Sequence, residues 1–339
     1  MLDWRLHLLQ SKQQTCAEEI VGVTIDDAAA EVIAEEYGHY SPIPPDFLAA
    51  LINNLAEYQP RLIGIDFLLD RAESVALLRQ SISNARSLKV DIVLVSRLER
   101  EFTGEFRRPA SFNNGLDTLA SIVGFANIED PDPDGKRRYF RPAIYRTDVL
   151  PSPLYPSFAL AILGAWENDT VSEQWIDSIL SKYQYPEKPD LARPINFFGR
   201  PQVMVSTLQV MAQSIPESVF KDKIVLIGGT YHTDEMEDRF EIPVKIAKSA
   251  AIDGVLLHAN ILSNFLKKRY IGSPSLWKLF LFAFILCGAS IVIHLFIPRE
   301  YTLAVLVGII ATYLGIGFLL FHLFQVNLPL AEPLRASIF

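Results

Sequence analysis

At 339 residues, half of them apolar and with a net charge of −8, the chain is long enough for one large domain or two ordinary ones. Residues beyond 270 hold +1 of that charge (Lys278, Arg299 and Arg335 against Glu300 and Glu332), which leaves −9 on residues 1–270. So acidic a globular part excludes a nucleic-acid partner, which is held through Lys and Arg. Its two cysteines, Cys16 near the start and Cys287 inside an apolar run, frame no disulfide fold.

In chain order, "MLDWRLHLLQSKQQ" has no apolar core and is not a signal peptide. "EIVGVTIDD" (19–27) is a strand ending in two aspartates. "PPDFLAALINNLAEYQP" (44–60) has apolar residues at helical spacing between prolines. "RLIGIDFLLD" (61–70) is a second strand, "ESVALLRQSISNARSL" (73–88) a second helix and "VDIVLVSR" (90–97) a third strand. "SIVGFANIEDPDPDGKRRYFRPAIY" (121–145) predicts two strands joined by a Pro/Asp/Gly turn. There follow a helix over 154–166, a short strand "PINFFG" (194–199), a short helix over 206–215, the most apolar strand "DKIVLIGGT" (222–230) and a helix over 252–270. Nearly continuous apolar strands interleaved with helices predict an α/β fold: a single mixed or mostly parallel sheet with helices on both faces.

From Trp277 onward the sequence changes character. Residues 278–297 and 301–324 are apolar runs, each reaching the ~20 residues that cross a bilayer core. Trp277 and Tyr301 stand where interfacial aromatics sit. The expected division is an α/β domain over 1–270 and transmembrane helices over 271–339, with a truncated third span starting at 327.

Several residues invite chemistry. Asp26, Asp27, Asp66 and Asp70 fall at or near strand ends, where open α/β sheets bind ligands. The plainer reading is that they cap the following turns or helices. "DPDPDG" (130–135) matches the first half of a calcium loop, but Arg141 stands at the twelfth position, where a bidentate Glu is needed. An Asp-Gly turn explains it without an ion. Gly228 and Gly229 follow a strand as phosphate loops do, yet no Gly-Lys-Ser/Thr follows, and the acids after Thr230 repel phosphate. His232, Asp234, Asp238 and His258 offer metal donors without a recognised metal spacing. No G-x-S-x-G occurs, and neither a catalytic set nor a cofactor motif is expected.

Taken together, "GIDFLLD", "GFANIEDPDPDGKRR", "INFFG", "KIVLIGGTYHTDEMEDRFEIP" and "DGVLLHANIL", in this order, resemble the type-2 CHASE sensor domain. Ile227-Gly228, Asp238, Phe240, Pro243, Gly254 and His258-Ala259-Asn260 fit the pattern of its closing segment, with Gly228 and Gly254 serving backbone geometry. The family's Trp-Pro-Trp-Pro-Arg-like segment is here "SPIPP", with Pro45 in place of Arg. Members commonly begin with a membrane span and continue, after three more, into a cytoplasmic kinase or cyclase. By that standard this chain is a fragment, a gene disrupted at both ends, or a stand-alone sensor.

The resemblance implies an extracytoplasmic input domain of a bacterial membrane signalling protein, not an enzyme. It would read a small ligand or other stimulus, sit in a lipid bilayer through its helices, act on a kinase or cyclase output partner, and pair as a homodimer. Lys267, Lys268, Arg269 and Lys278 flank the first span on the domain side, against Arg299 alone in the inter-span loop. The positive-inside rule therefore points to a cytoplasmic domain. The family's topology is preferred, because an upstream span would set the orientation. The ligand-binding residues expected are Asp26 and Asp66, lining a pocket, with His232, Asp238 and His258 shaping or closing it. A metal-dependent membrane-anchored hydrolase using His232, Asp234, Asp238 and His258 is the competing reading, and a membrane scaffold a third.

Overall fold

In a computed structural model, residues 15–100, 106–146, 153–182, 192–232, 238–246, 249–269, 271 and scattered positions between 284 and 315 are described. Gln13–Arg269 forms one compact unit and the remainder a second. The first unit holds a six-stranded sheet: β1 (Ile20–Ile25), β2 (Leu62–Leu68), β3 (Asp91–Ser96), β4 (Ile122–Phe125), β5 (Val203–Ser206) and β6 (Ile224–Gly229), in the order β5-β1-β6-β2-β3-β4. Every pairing in it is parallel. The sheet is therefore wholly parallel, as buried apolar strands between helices allow. The last strand, β6, inserts between the first two.

Seven helices are described: α1 (Asp27–Tyr37), α2 (Pro45–Glu57), α3 (Ala76–Ser87), α4 (Phe158–Glu167), α5 (Glu173–Lys182), α6 (Thr207–Met211) and α7 (Gly254–Leu266). A hairpin of β7 (Arg239–Ile246) and β8 (Ser249–Asp253) leads into α7. Alternate strand residues, including Val23, Ile65, Leu94 and Ile227, join α1, α2 and α3 in one core. Their neighbours in sequence face α4 and α7. There the sheet carries glycines, because the helices come close. A Cβ on Gly124 would stand 2.8 Å from the backbone of Phe158, and one on Gly228 would stand 2.5 Å from the Cβ of Val255. Gly228 is thus required for close packing rather than for a positive φ.

Several elements differ from the sequence expectation. Helix α1 directly follows β1: Asp26 caps it by accepting from the Ala29 amide at 2.9 Å, and Gly38, at φ +80°, ends it. The two strands expected over 121–145 do not pair with each other. The first is the sheet edge β4, and Tyr139–Phe140 pairs with Arg193–Pro194 instead. The Asp-Gly turn between them is present, with Gly135 at φ +82°. Arg138 lies against both Asp132 and Asp134 at 2.6 Å, so a guanidinium occupies the position where the calcium pattern would place an ion. Strand β5, helix α5 and the β7–β8 hairpin have no counterpart in the expectation, and the helix over 206–215 shortens to α6.

Among the described residues no helix is long and apolar enough to cross a membrane. The expected spans lie mostly outside those residues. Phe284, Ile285 and Ile291 in the first, and Tyr301 and Val307 in the second, are helical and exposed.

Candidate functional site: an acidic cavity at the carboxyl edge of the sheet

Strand β2 loses its register against β3 after Ile65, which pairs with Leu94; Leu68 then pairs with the next residue, Val95. A regular strand sends successive side chains to opposite faces. Here the extra residues let Asp66, Phe67 and Leu68 all line one cavity. The cavity, of about 450 Å³, lies beyond the carboxyl ends of β2, β3, β4 and β6, where Val95, Ala126 and Gly229 also border it. Parallel sheets bind ligands at this edge, near a reversal of strand order such as the one the inserted β6 creates.

The Asp66 side chain is 7 % exposed. It has no hydrogen-bond donor among the described residues. His258 Nε2 lies 3.8 Å from Oδ1 and is itself on a side chain 6 % exposed. Burial raises the Asp66 pKa to about 7. Burial also lowers that of His258, opposed by the charge of Asp238 and by a hydrogen bond to the Ala126 backbone. The ring of His258 stands edge-on to Phe158, with centroids 5.3 Å apart. Helix α7 fixes it there, because every residue from Gly254 to Phe265 is buried.

Asp238 sits at the mouth. As a residue it is exposed, but its carboxylate turns inward over Gly254, where a Cβ would meet Oδ1 at 2.8 Å. Gly254 is therefore small to admit this carboxylate. That inward turn raises the Asp238 pKa, first by desolvation and then by the charge of Asp66, with His258 opposing. Asp253 caps the start of α7 through its backbone and faces the same cavity. Burial raises its pKa, against the charges of His232, Arg239 and Arg200. His232 bridges two elements. Its amide donates to Asp27 Oδ1 at 2.8 Å, and its Nε2 lies 3.9 Å from Asp253 Oδ1.

Of the five expected site residues, Asp66, His232, Asp238 and His258 line the cavity. Asp26 does not; its carboxylate is engaged as the cap of α1. Asp253, Arg239, Tyr231 and Phe240 line it too and are absent from the expected set. An aspartate immediately before the Gly-initiated helix was the available signal for Asp253. Nothing local marks Arg239. Asp234, one of the four metal donors considered, lies outside the described residues. Among those described, no group of three His, Cys, Asp or Glu is placed to hold a metal ion.

The helix bearing His258 is clamped from behind. Asn260 Oδ1 accepts from the Phe198 and Gly199 amides at 2.7 and 3.0 Å, and its Nδ2 donates to the Gly199 and Leu256 carbonyls. Asn264 exchanges two bonds of 3.0 Å with the backbone of Asn196. The "INFFG" segment is thus held by side-chain amides where a neighbouring strand would otherwise hold it.

The family model of the CHASE2 domain matches residues 1–295. No curated protein and no solved structure matches the chain.

Proposed function

The chain belongs to the CHASE2 domain family, a family of extracellular sensing domains, and we propose that its stimulus is a small ligand entering the cavity at the carboxyl edge of the sheet. In this reading Asp66, Asp238 and His258 meet the ligand, with His232 and Asp253 shaping the mouth. Asp26 has a structural role. The observation that carries the proposal is the bulge in β2, which turns three consecutive residues into one cavity and leaves a buried carboxyl there without a donor among the described residues. Native sheets place such irregularities beside functional sites, and unpartnered buried polar groups are rare.

Helix α7 is the relay. It presents His258 to the cavity and, by sequence, leads directly toward the first apolar run. A ligand that favours one packing of α7 over another shifts the domain between two arrangements, and a helix movement of ~1–2 Å suffices for such transmission. The membrane placement, the output partner and homodimer formation belong to this proposal.

The test is retention of small molecules by the full-length protein. It is incubated with the small-molecule fraction of an extract from its source cells and washed, and what it retains is identified by mass spectrometry. The wild type is expected to retain a compound that Ala126→Phe, which fills the cavity, does not. Hydrogen exchange across Gly254–Leu266 is expected to slow in the loaded wild type alone. Equal retention by a folded Ala126→Phe variant would end the proposal.

A further inference from the structure

We infer that the cavity takes a small organic cation, an alkyl- or arylalkyl-ammonium whose head lies against Asp66 and whose apolar body rests among Ile43, Phe67, Tyr231 and Phe240. The inference rests on the pocket reading above and names the class of ligand for it.

Among the described residues, three carboxylates, Asp66, Asp238 and Asp253, converge on the cavity, and Arg239 is the only Lys or Arg lining it. Arg239 is directed to the hairpin and to one of the three: its Nη2 donates to Ser249 Oγ at 3.0 Å, its buried Nε has no hydrogen-bond partner among the described residues, and its charge bears on Asp253. The two histidines add no fixed charge, and burial keeps His258 neutral. Asp238 therefore feels the field of Asp66, and among the described residues no Lys or Arg charge bears on either carboxyl. An apolar-walled cleft concentrates that field, so the occupant that relieves it is positive.

A bare metal ion fits poorly. No donor trio is placed for one among the described residues, and aromatic and aliphatic side chains make up much of the wall. A volume of about 450 Å³ suits an organic molecule of modest size. The face of Tyr231 can attract a cationic head, and Phe240, whose ring already carries the Arg137 guanidinium at 5.3 Å, can cover an apolar tail. Asp66 then gains the charged partner that it lacks. Because its carboxyl must ionise to make that pair, binding releases a proton. Affinity rises with pH up to the free carboxyl's value of about 7 and levels off above it.

The experiment titrates the full-length protein calorimetrically with hexylammonium and 2-phenylethylammonium, then with the alcohol and the carboxylate of the same skeletons. The ammonium ions are expected to bind at least about tenfold more tightly, as a buried charge pair requires. Asp66→Asn is expected to abolish that preference, and Asp238→Asn, at the more exposed rim, to weaken it. Benzyltrimethylammonium, whose charge is fixed, should gain affinity between about pH 5.5 and about pH 7.5, with proton release seen as a dependence on buffer ionisation heat. If an alcohol or carboxylate binds as tightly as its ammonium, the cation assignment is overturned while the pocket reading stands. If no member of any of the three charge classes binds, the pocket reading falls and the assignment with it.

Discussion

A carboxyl that is buried without a hydrogen-bond donor keeps its proton to unusually high pH, and among the described residues Asp66 has none. Between its ordinary value of 3.8 and about 7, the folded chain holds a proton on Asp66 that the unfolded chain has released. Asp66 therefore withdraws stability as pH rises through that window. His258 acts in the opposite sense between about 4 and 6.5, where the unfolded chain holds the proton that the folded one excludes. The two effects offset each other in mildly acidic solution. We predict that Asp66→Asn melts above the wild type by a margin that widens from about pH 4 to about pH 7 and then stays constant, reaching at most about 4 kcal/mol. Thermal melts across pH check this. A variant less stable than the wild type at pH 8 would show that Asp66 supports the fold through a contact not recognised above.

At the scale of elements, α7 is the part of the domain with most at stake. Asn260 alone satisfies two amides and two carbonyls inside the protein. Truncating it strands the Phe198 and Gly199 donors, and each unpaired buried group costs about 1–3 kcal/mol. Asn260→Ala is thus expected to lose about 2–4 kcal/mol in denaturant titrations of the full chain. Ser263 accepts from the Ala17 amide at 2.9 Å and also hydrogen-bonds the Cys16 side chain, and Ser263→Ala is expected to lose about 1 kcal/mol. Similar losses for the two variants would mean that the clamp on "INFFG" is not what holds the helix. The same helix is pressed onto the sheet where Gly228 lacks a Cβ. The histidine that faces the cavity is therefore carried on a rigid support, as a relay requires.

For the molecule as a whole, the proposed membrane placement sets two orientation signals against each other. Membership of a family of extracellular sensing domains argues for the outside. Lys267, Lys268, Arg269 and Lys278, set against Arg299, argue for the inside. We predict that a cysteine at the exposed Glu35 reacts with an impermeant maleimide on intact cells, and that one at Arg299 reacts only after permeabilisation. Cys287→Ser removes one native thiol. The other, Cys16, is buried, and burial pushes its pKa up to about 12, so it stays silent. The reverse labelling pattern would place the domain in the cytoplasm.

Composition and apolar runs alone identified the buried strands β1, β2, β3 and β6, the helices α2, α3, α4 and α7 packed on the sheet, though not α1, and the two long apolar segments beyond residue 270. Burial of a strand or helix is written locally, in the spacing of its own side chains. Ordered motifs also carried the family resemblance, and the family match covers residues 1–295. What each polar residue does had to await the fold. Asp26 and Asp66 read alike, as aspartates at strand ends, yet one caps a helix and the other is turned by a bulge into a cavity. Asp253, Arg239 and His258 meet Asp66 across more than 150 positions of chain, and Asn260 reaches back to Gly199 across 61. Such meetings depend on strand order and register, which arise from the packing of the whole sheet and leave no periodic trace in the sequence.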